Sequence, residues 1–115
     1  MSYSETQLSA LAKENPKELA RVLSSPNADV HTLTFGAELF GGEVKDEELV
    51  LPVLRRLLKH VNAVVREGAM LGVSAFYLDR KPPQEIVDRL RTMIKSDPSP
   101  ANRDCAGGLL EDYLK

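Results

Sequence analysis

The length, composition and charge of the chain are those of one small globular domain. It has 115 residues, 43% of them hydrophobic and 28% charged, with no run of the roughly 18 apolar residues that a membrane helix needs. The net charge of -2 argues against a dedicated nucleic-acid binder, and an aromatic content of 5% without Trp favours a helical core of Leu, Val and Ala.

Seven helices are predicted from local start and stop signals and from the helical spacing of apolar residues. Ser4 with Gln7 indicates a capping box, and Asn15 and Ser99 each precede a proline, as N-cap residues often do. Paired glycines after residue 40 and paired prolines after residue 81 separate helices further along the chain. The predicted helices run at about residues 4–13, 16–24, 30–41, 46–59, 63–78, 82–96 and 100–114.

The last six helices form three pairs, and the pairs indicate a repeat. When the ends of the three first helices are aligned, Leu23, Leu58 and Ile94 coincide, with offsets of 35 and 36 residues. A fixed period of this kind is typical of a solenoid, with the helix at 4–13 as an N-terminal cap. The repeats are predicted at about residues 16–41, 46–78 and 82–114.

Small residues recur inside the second helices. Short side chains allow two helices to approach closely, so these residues are interpreted as packing positions. The small pairs are Gly36-Ala37, Gly68-Ala69 and Cys105-Ala106, and Gly72, Gly107 and Gly108 are interpreted in the same way.

The middle unit resembles a HEAT repeat, whose signature is a turn followed by Val-Arg, two variable residues and Ala. The matching residues are 62–69, NAVVREGA. Residues 98–106, PSPANRDCA, resemble the same motif with Asn102 in place of Val, whereas residues 30–37 lack the Arg. The resemblance covers about residues 16–114, with a period as short as in compact bacterial HEAT-like proteins.

The resemblance implies an all-α fold, a right-handed α-α superhelix of about three helical hairpins plus an N-terminal capping helix, within a single domain of residues 1–115. It also implies that Arg66 and Arg103 are structural residues that bond between successive repeats. In such a fold the second helices line a concave face, which is the usual binding surface.

A helical wheel places an acidic and apolar set of side chains on that face, opposite the buried stripe of the middle unit. An acidic rim around apolar groups suits a protein partner with basic and aromatic side chains and would repel phosphate. We call this set the acidic ridge; it comprises Phe35, Glu38, Leu39, Glu67, Met70, Leu71, Ser74, Asp104 and Glu111.

No catalytic or metal-binding constellation is recognised. One Cys excludes an internal disulfide and a Cys-based zinc site, and Cys105 is interpreted as a packed thiol. His31 and His60 are interpreted as surface or capping residues. HEAT-like repeats occur in bacterial alkylpurine DNA glycosylases, but this chain has too few repeats and no Trp to handle a lesion. We therefore expect no enzyme activity, no metal and no cofactor.

The two parts of the chain differ in charge. Residues 1–50 hold four basic and nine acidic side chains, a net charge of -5, whereas residues 51–115 hold eleven and eight, a net charge of +3. The first helices of the pairs carry much of the basic charge, and nucleic-acid binding through these outer helices is one alternative function. The basic residues concerned are Arg55, Arg56, Lys59, Arg89, Arg91 and Lys95.

The leading hypothesis is a non-catalytic protein-protein interaction module that binds a protein partner, possibly a basic one, on the acidic ridge. A second hypothesis is an immunity or inhibitor protein that neutralises a basic toxin such as a nuclease. The start of the chain has neither a basic nor an apolar segment, so a cytoplasmic location without membrane association is expected. The expected state is a monomer or a weak homo-oligomer.

Overall fold

The computed structural model describes residues 2–115 and confirms the all-α prediction. Residues 2–115 contain seven α-helices and no strand. Each helix lies within about two residues of its predicted bounds; the third helix ends two residues late, the fourth and fifth end two residues early, and the sixth starts two residues late. The helices are α1 (Glu5–Glu14), α2 (Pro16–Leu23), α3 (Val30–Glu43), α4 (Glu47–Leu57), α5 (Ala63–Phe76), α6 (Gln84–Ser96) and α7 (Pro100–Tyr113).

Six of the seven helices begin at a residue whose side chain accepts a backbone hydrogen bond from the first turn. Ser4 accepts from the amide of Gln7, whose side chain accepts in return from the amide of Ser4, so the predicted capping box is present. Only α6 lacks such a cap, because its N-cap residue is Pro83. The other side-chain caps are Asn15, Asp29, Asp46, Asn62 and Ser99.

The most extensive contact between helices joins α3 to α5. A Cβ atom built on Gly68 would lie 2.6 Å from the carbonyl oxygen of Thr34, and one built on Gly72 would overlap the carbonyl of Ala37. A Cβ atom built on Gly41 of α3 would likewise overlap the carbonyl of Gly72. Backbone therefore packs directly on backbone, and the packing role predicted for Gly68 and Gly72 is confirmed.

The packing role predicted for Gly107 and Gly108 is wrong. A Cβ atom at either position would meet no atom of another described residue within 4 Å. Glycine inside a helix costs up to about 1 kcal/mol relative to alanine, and at these two positions no close approach offsets that cost. The last helix is also sparsely buried, since only Asn102 and Ala106 of α7 are buried.

The core is mainly aliphatic. α3 contacts α1, α2, α4 and α5, while α5 contacts α3, α4 and α7. α5 has the most buried residues of any helix, eight of fourteen. α6 packs mainly on α7, and its link to α4 is through side chains such as the Arg55–Glu85 pair. The radius of gyration is 13.2 Å, as expected for a compact chain of this length. A compact helical bundle and three stacked pairs share these dimensions, so the superhelix stays a prediction.

Alanine substitutions should have opposite effects on stability at a closely packed glycine and at an open one. We expect Gly72→Ala to lower the free energy of unfolding by about 1–3 kcal/mol, because the new methyl group overlaps the backbone of α3. Gly108→Ala should raise it by about 0.4–1 kcal/mol, because the site is open and alanine lowers the entropy of the unfolded chain. Urea unfolding measures both values, and a Gly72→Ala variant as stable as the parent would contradict the close contact.

Candidate functional site

The structure leaves eight of the nine ridge residues accessible. α5 lies between α3 and α7, and each of these three helices carries at least one of the predicted ridge carboxylates. Glu38, Leu71, Asp104 and Glu111 are exposed, and Phe35, Leu39, Glu67 and Ser74 are half-buried.

Met70 is the exception, and its assignment to the binding surface is corrected. Its side chain is 0% exposed and belongs to the hydrophobic core. The physical reason is that α5 packs against α3, α4 and α7 at once, so eight of its fourteen residues are buried. A helical wheel gives the direction of a side chain but not the number of neighbouring helices.

The carboxylates of the acidic ridge are unpaired. None of them makes a side-chain hydrogen bond or an ion pair with any residue in the described range 2–115. Leu71 is 40% exposed beside them, and Phe35 stacks on His31 with ring centroids 6.0 Å apart. The ridge therefore presents uncompensated negative charge next to apolar surface. Its four carboxylates belong to Glu38, Glu67, Asp104 and Glu111.

Cys105 is the single thiol and lies near the ridge on α7. It is half-buried and packs against the core. Burial raises the pKa of the Cys105 thiol, and the negative charge of Glu67 raises it further. A thiol with a raised pKa is protonated at neutral pH and is a poor nucleophile.

A cavity of about 650 Å³ lies where α5 and α7 end, and Ser74 is the one ridge residue that lines it. Tyr77 donates a hydrogen bond to Glu47 Oε2 at 2.7 Å, and Tyr113 donates to the carbonyl oxygen of Val73 at 3.3 Å. Burial raises the pKa of both phenols, that of Tyr113 to about 12. Both hydroxyls stay protonated at neutral pH and act as hydrogen-bond donors.

Two arginines of the outer helices are engaged within the fold. Arg56 Nη2 donates to the carbonyl oxygen of Leu23 at 3.1 Å and to Ser24 Oγ at 2.9 Å. Arg89 Nη2 donates to the carbonyl oxygen of Leu58 at 3.0 Å. The two accepting carbonyls occupy equivalent positions of the repeat, at the C-terminal ends of α2 and α4, where positive charge is favourable.

The other outer arginines form ion pairs. Arg55 Nη2 lies 2.7 Å from Glu85 Oε1, and Arg91 Nη1 lies 3.9 Å from Asp88 Oδ1. Most of the basic charge that could contact phosphate is therefore already matched by carboxylates or backbone carbonyls. Of the six outer basic residues named in the sequence analysis, Lys59 and Lys95 make no ion pair or side-chain hydrogen bond within residues 2–115.

Arg66 joins α5 to the connection between α6 and α7. Its Nε and Nη2 atoms lie 2.8 and 2.9 Å from the two carboxylate oxygens of Asp97, in a bidentate pair. Its Nη1 atom donates to the carbonyl oxygens of His60 at 2.8 Å and Val61 at 3.0 Å. Both side chains are buried, with exposures of 9% for Arg66 and 1% for Asp97.

Asp97 bonds to two arginines, Arg66 and Arg103, and the sequence interpretation did not identify it. Arg103 Nη1 donates to the carbonyl oxygen of Asp97 at 2.7 Å, so both predicted inter-repeat arginines contact this residue. The Arg103 contact lies within the predicted third repeat (82–114), so unlike that of Arg66 it does not join two repeats. Nearby, Asn102 Nδ2 donates to the carbonyl oxygen of Ala63 at 2.9 Å, which gives the departure from the Val of the motif a physical role. The position of Asp97 in the sequence could have indicated it, because Asp97 immediately precedes the third motif, residues 98–106.

Both histidines make local contacts. His60 Nδ1 accepts a hydrogen bond from the amide of Asn62 at 3.0 Å within the α4–α5 connection, and His31 stacks on Phe35. Among residues 2–115, no group of three or more His, Cys, Asp or Glu side chains is arranged to hold a metal ion. No helix in that range is both long and apolar enough to cross a bilayer.

Comparison with known proteins gave no match to a family model, to a curated protein or to a solved structure. The HEAT-like assignment therefore stays a hypothesis that rests on the repeat motifs of the chain.

Breaking the buried pair should destabilise the fold far more than breaking an exposed one. We expect Asp97→Asn to lower the free energy of unfolding by about 3 kcal/mol, because it leaves the guanidinium of Arg66 buried without a counter-charge. Glu85→Gln removes the exposed partner of Arg55 and should have a much smaller effect. Equal losses in urea unfolding would contradict the buried role of Asp97.

The same pair should make stability depend on pH in the acid range. Hydrogen bonds from Arg66 hold the pKa of Asp97 below its usual value of 3.8. Its contribution is complete above the unfolded pKa and is lost as the pH falls through the lower folded pKa. The stability gap between the parent and Asp97→Asn should therefore shrink as the pH is lowered from about 5 to about 2. Unfolding curves across this range would show a constant gap if the carboxylate were not the source.

Proposed function

We propose that this protein is a non-catalytic interaction module that binds a basic protein partner on the acidic ridge. The ridge is formed by α3, α5 and α7, which in this proposal are the second helices of three hairpins stacked in a right-handed superhelix behind α1. The observation that supports the proposal is a set of four carboxylates that have no partner within residues 2–115 and lie on three neighbouring helices.

Charge of one sign on a surface favours association with a partner of the opposite sign. Such complementarity raises the rate of encounter and disfavours wrong partners more than it raises affinity. Apolar contact then adds affinity, and exposed Leu71 and half-buried Leu39 lie among the carboxylates to supply it. The partner is expected to combine Lys or Arg with aromatic or aliphatic side chains.

The contrast with the outer helices supports a protein partner over nucleic acid. On the outer side, the arginines that could contact phosphate are bonded within the fold, whereas the ridge carboxylates would repel phosphate. The narrower hypothesis of an inhibitor uses the same surface, since a basic groove that binds nucleic acid would be complementary to these carboxylates. The identity of the captured partner distinguishes a general interaction module from an inhibitor of a toxin.

Charge reversal on the ridge tests the proposal. The triple variant Glu38→Lys, Glu67→Lys and Asp104→Lys should lose at least about tenfold in affinity for a partner captured from extracts of the native host, because each contact becomes repulsive. Affinity is measured by titration of the purified partner, and circular dichroism verifies that the variant is folded.

A second triple variant controls for net charge. Glu14, Glu43 and Asp79 are exposed and lie outside the ridge, so their reversal to Lys changes the total charge equally. The control should bind within about twofold of the parent. Equal loss in both variants, or no loss in the ridge variant, would reject the ridge as the binding surface.

A further inference from the structure

The Arg66–Asp97 pair lies at the junction between the second and third predicted repeats, and the junction between the first and second has no such pair in the described chain. Leu33 follows the N-cap of α3 by four residues, as Arg66 follows the N-cap of α5, so a leucine stands in the place of the arginine. The connection that faces it carries His60 and Val61 where the next one carries Asp97. The first junction therefore lacks an arginine-carboxylate pair at this position.

A cavity of about 380 Å³ occupies this junction, and we call it the Leu33 cavity. Its floor is formed by Leu23, Leu33 and Leu57, which are buried. Val61 lies at its rim with 93% of its surface exposed, the largest value among the exposed large hydrophobic residues of the described chain. Val61 thus extends the apolar surface of the cavity into solvent, and ligand sites are concave and lined mainly by apolar side chains.

The charged residues that line the Leu33 cavity are basic. They are Arg56 and Lys59, with His60 beside them, and none of the described residues that line it carries a carboxylate. Arg56 uses its Nη2 atom at the end of α2, so its Nη1 and Nε atoms remain without a hydrogen bond to any described residue. Lys59 makes no ion pair in the described chain.

We propose that the Leu33 cavity binds an acidic peptide segment of a protein partner, which inserts one large apolar side chain between α2, α3 and the α4–α5 connection. The apolar floor receives the side chain, Val61 covers it, and carboxylates on either side of it in the peptide pair with Lys59 and Arg56. This charge preference is opposite to that of the acidic ridge, and no ridge residue lines the Leu33 cavity. The proposal is therefore independent of the ridge.

The probe for the test is a synthetic peptide, acetyl-Glu-Asp-Leu-Phe-Glu-Asp-amide, titrated into the full 15N-labelled chain. The amide resonances of Leu33, Leu57 and Val61 should shift in a saturable way. A peptide with Lys at the four acidic positions should bind at least fivefold more weakly, and one with Ser in place of Leu-Phe should not shift these resonances. Absence of shifts at millimolar peptide, equal binding of the lysine peptide, or shifts centred on other helices would overturn the proposal.

Surface variants keep the test independent of folding. Val61→Asp and Lys59→Glu should each weaken binding of the acidic peptide at least tenfold. Leu78→Asp is the matched control, because Leu78 is 76% exposed and does not line the Leu33 cavity, and it should bind as the parent does. Unchanged binding in Val61→Asp would overturn the proposal, whereas the ridge variant with three reversed charges should bind this peptide at least as well as the parent.

Discussion

The direct contact between the backbones of α3 and α5 is the constraint on which the rest of the structure depends. It requires glycine at positions 68 and 72, because a side chain on either would overlap the backbone at Thr34 or Ala37. This contact sets two second helices side by side and encloses α5, which buries Met70. It also brings Glu38 and Glu67 onto neighbouring helices, so the ridge is a consequence of close packing.

Different side chains line the two junctions, meaning the places where one helix pair meets the next. Arg66 and Asp97 form a bidentate ion pair at the second junction, with further hydrogen bonds to the chain, and they border a cavity of about 240 Å³. Leu33 and Val61 line the first junction beside a cavity of about 380 Å³, whose charged lining residues are the basic Arg56 and Lys59. Both junctions therefore border a cavity, and they differ in the side chains that line it.

Features that depend on near neighbours in the chain were predictable, and those that depend on distant ones were not. Helix starts follow from local caps such as Ser4 and Asn15, so the helices were found within a few residues. Gly72 and Gly108 both lie inside predicted second helices, so the sequence does not distinguish them. In the fold, Gly72 faces the backbone of α3 and Gly108 faces open space. The pairing of Arg66 with Asp97 spans 31 residues, so no local pattern reveals it.

The small net charge of the chain conceals an unequal use of its charged groups. Most arginines of the first helices are bonded within the fold. Arg56 and Arg89, for example, donate hydrogen bonds to carbonyl oxygens at the C-terminal ends of preceding helices. The side chains of Glu38, Glu67, Asp104 and Glu111 have no hydrogen-bonding or ion-pairing partner within residues 2–115. The outer arginines are thus bonded within the fold while these four carboxylates are not, although the net charge of the chain is small. Net charge alone therefore predicts the partner less well than the hydrogen bonds of each side chain do.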